Sequence, residues 1–197
     1  MKEALLLLAV ASCVACSRPP AIYNNPYDVT AMLNDSAWYG TVQAINAANF
    51  IDKPCAEGKV MLMIKTDIPY PGNESFSKSE TVNGCVGECV PTQALYINNI
   101  PLKKGTYSLS KLAECGSFAI KDVVYAWLVN GSGLKRGFRL QPKKANWVRV
   151  TRYDPRKKTL EGRFEANLID FKLNSTESTG RAAQFRQGRF LVKLPKK

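Results

Sequence analysis

The chain is predicted to be all-β, either an antiparallel β-sandwich or a partly open β-barrel, in a single domain. Three observations predict this. Apolar residues recur at every second position over short stretches, turn residues separate those stretches at sandwich-like or barrel-like intervals, and no long stretch sustains a helical period with caps. The expected strands lie at 38–45, 60–66, 94–98, 106–110, 123–129, 138–140, 147–153, 160–169 and 185–194, with a short helix near 27–33.

Taken in order, the first strand opens on Trp38 and Tyr39, and the second, Val60 to Thr66, is apolar until Lys65. Pro69-Tyr70-Pro71-Gly72 then reads as a turn, as does Pro101-Leu102-Lys103-Lys104-Gly105 between the third and fourth strands. The fifth and sixth strands are rich in valine, aromatic and leucine residues. Residues 147–153 and 160–169 are joined as a hairpin by Asp154-Pro155-Arg156-Lys157-Lys158. The alternation is clearest over 159–171. Leu160, Gly162, Phe164, Ala166 and Leu168 fall on one face, and Glu161, Arg163, Glu165 and Asn167 on the other. In the last strand Phe190, Val192 and Leu194 alternate with Arg189, Leu191 and Lys193, so it is expected to pair inside the sheet.

The N-terminus carries a different pattern. Lys2 is followed by an apolar run from Ala4 to Ala11, too short for the roughly 20 residues of a spanning helix but long enough for an export signal. Val10-Ala11-Ser12-Cys13 and Cys13-Val14-Ala15-Cys16 resemble the bacterial lipoprotein signal, in which small residues precede an acceptor cysteine. The resemblance implies lipid attachment at Cys16, with Cys13 as the alternative, and anchoring through acyl chains such as palmitate. Residues 1–15 are then the signal peptide, 16–30 a tether containing Pro19 and Pro20, and 31–197 the all-β domain. The resemblance to the lipoprotein signal implies a lipid-anchored protein of the cell envelope, on the outer membrane, and since the acidic stretch of surface-displayed lipoproteins does not follow the acceptor, it is expected to face the periplasm.

Charge is unevenly spread. Residues 1–133 hold 10 Lys and Arg against 11 Asp and Glu, whereas 134–197 hold 18 against 5. Such a basic third attracts anionic lipid or glycan, or simply forms solvated strand faces. Arg149, Arg152, Arg156, Lys157 and Lys158 cluster around one expected hairpin and form the candidate anionic contact. No nucleic-acid motif accompanies them, so nucleic acid is not an expected partner.

The chain has no histidine, which removes the commonest general base and metal ligand. Export leaves Cys55, Cys85, Cys89 and Cys115 in an oxidising compartment. Cys55 and Cys85 are symmetric about the turn at position 70, and Cys89 and Cys115 about position 102. Antiparallel pairing across each turn therefore predicts Cys55–Cys85 and Cys89–Cys115 disulfides. The rival is a small Cys85–Cys89 loop with Cys55–Cys115. No second close cysteine pair supports a zinc site, so no metal and no cofactor are expected.

Three further motifs carry a family resemblance. They are Leu33-Asn34-Asp35-Ser36-Ala37-Trp38, the run from Val148 to Asp154 with Lys158 to Ala166, and Phe185-Arg186-Gln187-Gly188-Arg189-Phe190. Together they resemble small cell-envelope lipoprotein domains of Bacteroidetes, of unassigned function. The resemblance implies an exported all-β domain and transfers no catalytic residue.

Candidate chemistry is sparse. Glu161 and Glu165 flank Arg163 on one strand face, which reads as cross-strand ion pairing rather than an acid–base pair. Ser36, Ser110 and Ser117 have no histidine partner, and Trp38, Trp127 and Trp147 read as packing residues before they read as a sugar platform. The chain is therefore read as non-enzymatic: a membrane-anchored binding module for an envelope partner or anionic glycan, or alternatively a structural or assembly subunit of an envelope complex.

Overall fold

The structure is a computed structural model describing residues 28–46, 57–73, 82–113, 124–171 and 180–195. Ten strands occur in the order β1 (Val29–Leu33), β2 (Ser36–Asn46), β3 (Lys59–Thr66), β4 (Gln93–Pro101), β5 (Gly105–Ser108), β6 (Tyr125–Val129), β7 (Gly133–Leu140), β8 (Trp147–Asp154), β9 (Thr159–Phe171) and β10 (Ala182–Lys193). Among the described residues one short helix, α1 (Leu109–Ala113), lies between β5 and β6. Eight of the strands form a closed antiparallel barrel, in the order β10-β1-β2-β3-β4-β6-β7-β9, because β9 returns to pair with β10.

The length of β9 makes room for the other two strands. Along one edge β9 pairs with β10. Along the other its first half pairs with β8 and its last four residues with β7. β5 adds to the far side of β8. Val148 and Val150 of this ribbon and Leu109 of α1 join the same core as Leu62, Ile64, Leu95, Phe138, Phe164 and Phe185 inside the barrel. Outward positions of β9 and β10 carry Glu161, Arg163, Glu165, Arg189 and Lys193. The outer face is not uniform: on β4, β6 and β7 the outward residues Ala94, Tyr96, Ala126, Leu128 and Leu134 form a second, smaller apolar cluster with Phe171 of β9.

Two Gly-Arg-Phe triplets face one another in the closing pair. Gly162 lies opposite Phe190, Arg163 opposite Arg189 and Phe164 opposite Gly188. Each phenyl ring covers the glycine across from it. A Cβ on Gly162 would lie 2.3 Å from the Phe190 ring, and one on Gly188 would lie 2.6 Å from the Phe164 ring. The missing side chain is thus filled by an aromatic one, and both arginines are turned outward on the same row.

Several expectations are corrected. Residues 29–33 form β1 rather than a short helix. Ala31, Met32 and Leu33 favour helix by only about a few tenths of a kcal/mol each, whereas pairing with both β10 and β2 buries Val29 and Ala31. Val29 and Thr30, assigned to the tether, therefore belong to the barrel. The strand expected at 106–110 ends at Ser108, where α1 begins, and the one expected at 138–140 starts earlier, at Gly133. β1 and β2 meet in a two-residue turn, with Asn34 and Asp35 both at positive φ (48° and 65°), the form that follows the twist of a hairpin. Asn34 also donates from Nδ2 to the Ala182 carbonyl and accepts the Gln184 N–H, tying the turn to β10.

The disulfide prediction is corrected as well. Cys85 is bonded to Cys89, which excludes Cys55–Cys85 and Cys89–Cys115 and matches the short loop of the rival pairing. The loop is local: Asp67 accepts the backbone N–H groups of Asn83 and Gly84, and Cys85 adopts positive φ between Gly84 and Gly87. Hairpin symmetry failed because Asp67 holds Asn83 and Gly84 beside the end of β3 and Cys85 turns back to Cys89 instead of entering a ladder. Both thiols that a CxxxC metal site requires are consumed. Cys13, Cys16, Cys55, Cys115 and Ser117 lie outside the described residues.

Candidate functional site

The candidate basic residues occupy one outer face and the tip of one hairpin. Arg149 lies opposite Arg163, and Arg163 opposite Arg189, so three arginines stand side by side on β8, β9 and β10. Thr106 continues the row on β5 and Thr30 on β1. At the usual strand spacing the arginine row spans about 10 Å across the sheet. Arg149 donates from Nε to Thr106 Oγ1 at 2.9 Å, and its guanidinium lies 5.7 Å from the Trp147 ring centre.

The expected cross-strand ion pairing is seen for Glu161, which pairs with Arg152 of β8 at 3.6 Å, and Arg152 also approaches Asp154 at 4.0 Å. Among the described residues, Arg163 and Arg189 have no carboxylate within ion-pair distance. Like charges directly opposite on neighbouring strands oppose the fold, by roughly 0.2–1 kcal/mol for each pair. Sequence reasoning missed Arg163 and Arg189 as members of this surface. The signal was present in the repeated Gly-Arg-Phe, but only the register shows that the two arginines face one another.

The remaining basic residues lie at the β8–β9 tip. Asp154 Oδ1 accepts the backbone N–H groups of Arg156 and Lys157 at 3.0 and 2.9 Å, closing the turn. Chiefly through the Lys157 N–H, this holds the Asp154 carboxyl below the ordinary aspartate range. Arg156, Lys157 and Lys158 are all exposed. The tip and the start of β1 share one end of the barrel, since Leu191 donates to the Asp28 carbonyl and Leu194 to that of Lys158.

The opposite end is an open mouth. A cavity of ≈ 410 Å³ is lined by residues of the β1–β2 turn, the β3–β4 connection and the starts of β4, β6 and β10. Its floor is a closed hydrogen-bond chain. Trp127 Nε1–H donates to Tyr125 Oη, Tyr125 O–H and Trp38 Nε1–H both donate to Gln93 Oε1, and Gln93 Nε2 donates to the Ile68 carbonyl. Burial pushes the Tyr125 phenol far above its ordinary pKa, so it stays a neutral donor. Trp127 stacks on Tyr70 with ring centres 4.7 Å apart, and the guanidinium groups of Arg181 and Arg136 lie 5.1 and 5.6 Å from the Trp127 ring centre. Asp170, fully buried, is paired with Arg136 at 2.5 Å and accepts the backbone N–H of Arg181.

Trp38 and Trp127 are thus core residues of this floor, and Trp147 is a half-buried outer residue beside Arg149. The three do not share one platform. The chain matches no family model, no curated protein and no solved structure.

Proposed function

We propose that the protein is a lipid-anchored, non-enzymatic binding module of the cell envelope, attached through acyl chains on Cys16 (or Cys13), whose outer β8–β9–β10 face takes a linear anionic glycan. The observation that carries this reading is the arginine row, Arg149–Arg163–Arg189, where like charges stand opposite one another at a cost to folding. A chain of carboxylates or phosphates laid across the strands neutralises that repulsion, and guanidinium forks suit such oxyanions. Arg152, Arg156, Lys157 and Lys158 extend the surface towards the hairpin tip. β1 begins at that same end of the barrel, which is consistent with an anchor on the preceding residues holding the hairpin tip towards the membrane.

The test is titration of the full chain, in mild detergent, with a linear polyuronate, with neutral dextran as control and anionic vesicles as competitor. Expected are binding to polyuronate alone, weakening as salt shortens the screening length, and a fall of about tenfold or more in Arg163→Glu. Binding that survives this change, or binding to vesicles without binding to polyuronate, overturns the reading. The alternative, an assembly subunit docking through β10, is favoured by one observation: Leu191, beside Arg189 on the same strand, is 51% exposed. It requires a complex that survives gentle detergent extraction.

A further inference from the structure

We infer that the open mouth of the barrel is a second binding site, for a small amphiphile with an apolar body and an oxyanion head. This does not rest on the polyanion reading, since the mouth lies at the end of the barrel opposite the hairpin tip. The cavity, ≈ 410 Å³, falls within the range of roughly 300–1,000 Å³ seen for small-molecule sites.

The floor accepts an apolar body. Indole N–H groups of Trp38 and Trp127, the Tyr125 phenol and the Gln93 carboxamide oxygen are all hydrogen-bonded within the floor itself. An apolar group entering here packs beside Trp38, Tyr125, Trp127 and Phe138, and leaves no indole or phenol donor unpaired.

The rim supplies the charge. Arg181 is exposed at the cavity edge, over Trp127. Among the described residues, Asp170 is ion-paired with Arg136 and takes only the backbone N–H of Arg181, and Asp35 is paired with Arg186. Among the described residues Arg181 has no carboxylate partner. A guanidinium with no carboxylate partner among the described residues, at the edge of a cavity lined by both aromatic and polar side chains, selects a ligand with an anionic head and an apolar body.

The experiment is a tryptophan-fluorescence titration of the full chain with octanoate and with 1-octanol, since Trp38 and Trp127 both line the cavity. Expected is a saturable change with octanoate at lower concentration than with 1-octanol. In Arg181→Gln the octanoate affinity falls about tenfold, to that of the alcohol, while 1-octanol is unaffected. In Ala37→Phe, which fills an exposed lining position, both titrations are lost. Absence of a saturable change with wild-type protein up to millimolar octanoate overturns the site. Equal octanoate affinity in wild type and Arg181→Gln overturns the oxyanion head, and titrations unchanged in Ala37→Phe overturn the location.

Discussion

Gly162 is fixed as glycine by two neighbours at once. A Cβ there would approach the Phe190 ring at 2.3 Å and the Arg149 carbonyl oxygen at 2.6 Å, one a buried side chain and the other backbone. Neither has room to retreat. Gly162→Ala is therefore expected to lower stability by about 2–3 kcal/mol, read as a shift of the urea midpoint at constant slope. A midpoint within error of wild type means the β9–β10 register is not as described. Gly188 makes the milder comparison, because the atoms its Cβ would meet all belong to the Phe164 ring. The same two triplets show how much of the basic site was legible. Alternation placed Arg163 and Arg189 outward correctly. Which residue each faces was not legible, because β10 bulges between Phe185 and Gly188, with Gln187 at a φ of 53°, and that bulge sets the register. Nothing in local composition marks a bulge at Arg186-Gln187, so the sequence does not show that Arg163 and Arg189 stand opposite one another.

The β8–β9 hairpin was the most legible element, because its turn chemistry is local. Asp154 followed by proline and three basic residues announces a turn, and the structure closes it with the Asp154 carboxylate on the Arg156 and Lys157 N–H groups. Its pH dependence follows from the lowered Asp154 pKa. A carboxyl whose folded value is depressed supports the fold fully above its unfolded value, ordinarily 3.8. That support is lost as pH falls through the lower folded value. The Arg156 and Lys157 amide resonances are accordingly expected to titrate together with a midpoint below 3.8, and Asp154→Asn should abolish that transition. A midpoint at or above 3.8 contradicts the hydrogen-bonded turn. β1 was the least legible element, since Ala31, Met32 and Leu33 carry helical preference and become a strand through pairing with β2 on one side and with β10, more than a hundred residues away, on the other.

Barrel and sandwich were indistinguishable in the sequence because the difference is a single pairing, β9 with β10, together with the insertion of β1 between β10 and β2. Periodicity reports which face of a strand is buried and is silent on whether the sheet returns to its starting edge. The barrel mouth shared that fate: its floor draws Trp38, Gln93, Tyr125 and Trp127 from three strands, and no local pattern groups them. Closure has an energetic consequence. The eight barrel strands have partners on both sides, whereas β5 has only β8 and is four residues long. Opening β5 breaks one short ladder, while opening β9 breaks the barrel, so the two belong to different cooperative units. Native-state hydrogen exchange is expected to show it. Amides of β5 exchange through local openings whose free energy is insensitive to low urea, and those of the β9–β10 pair exchange only through global unfolding, with the full dependence on urea. If β5 shares the slope of β9, the β5–β8 ribbon is an integral part of the closed sheet, and the division into an eight-stranded barrel with an appended edge fails.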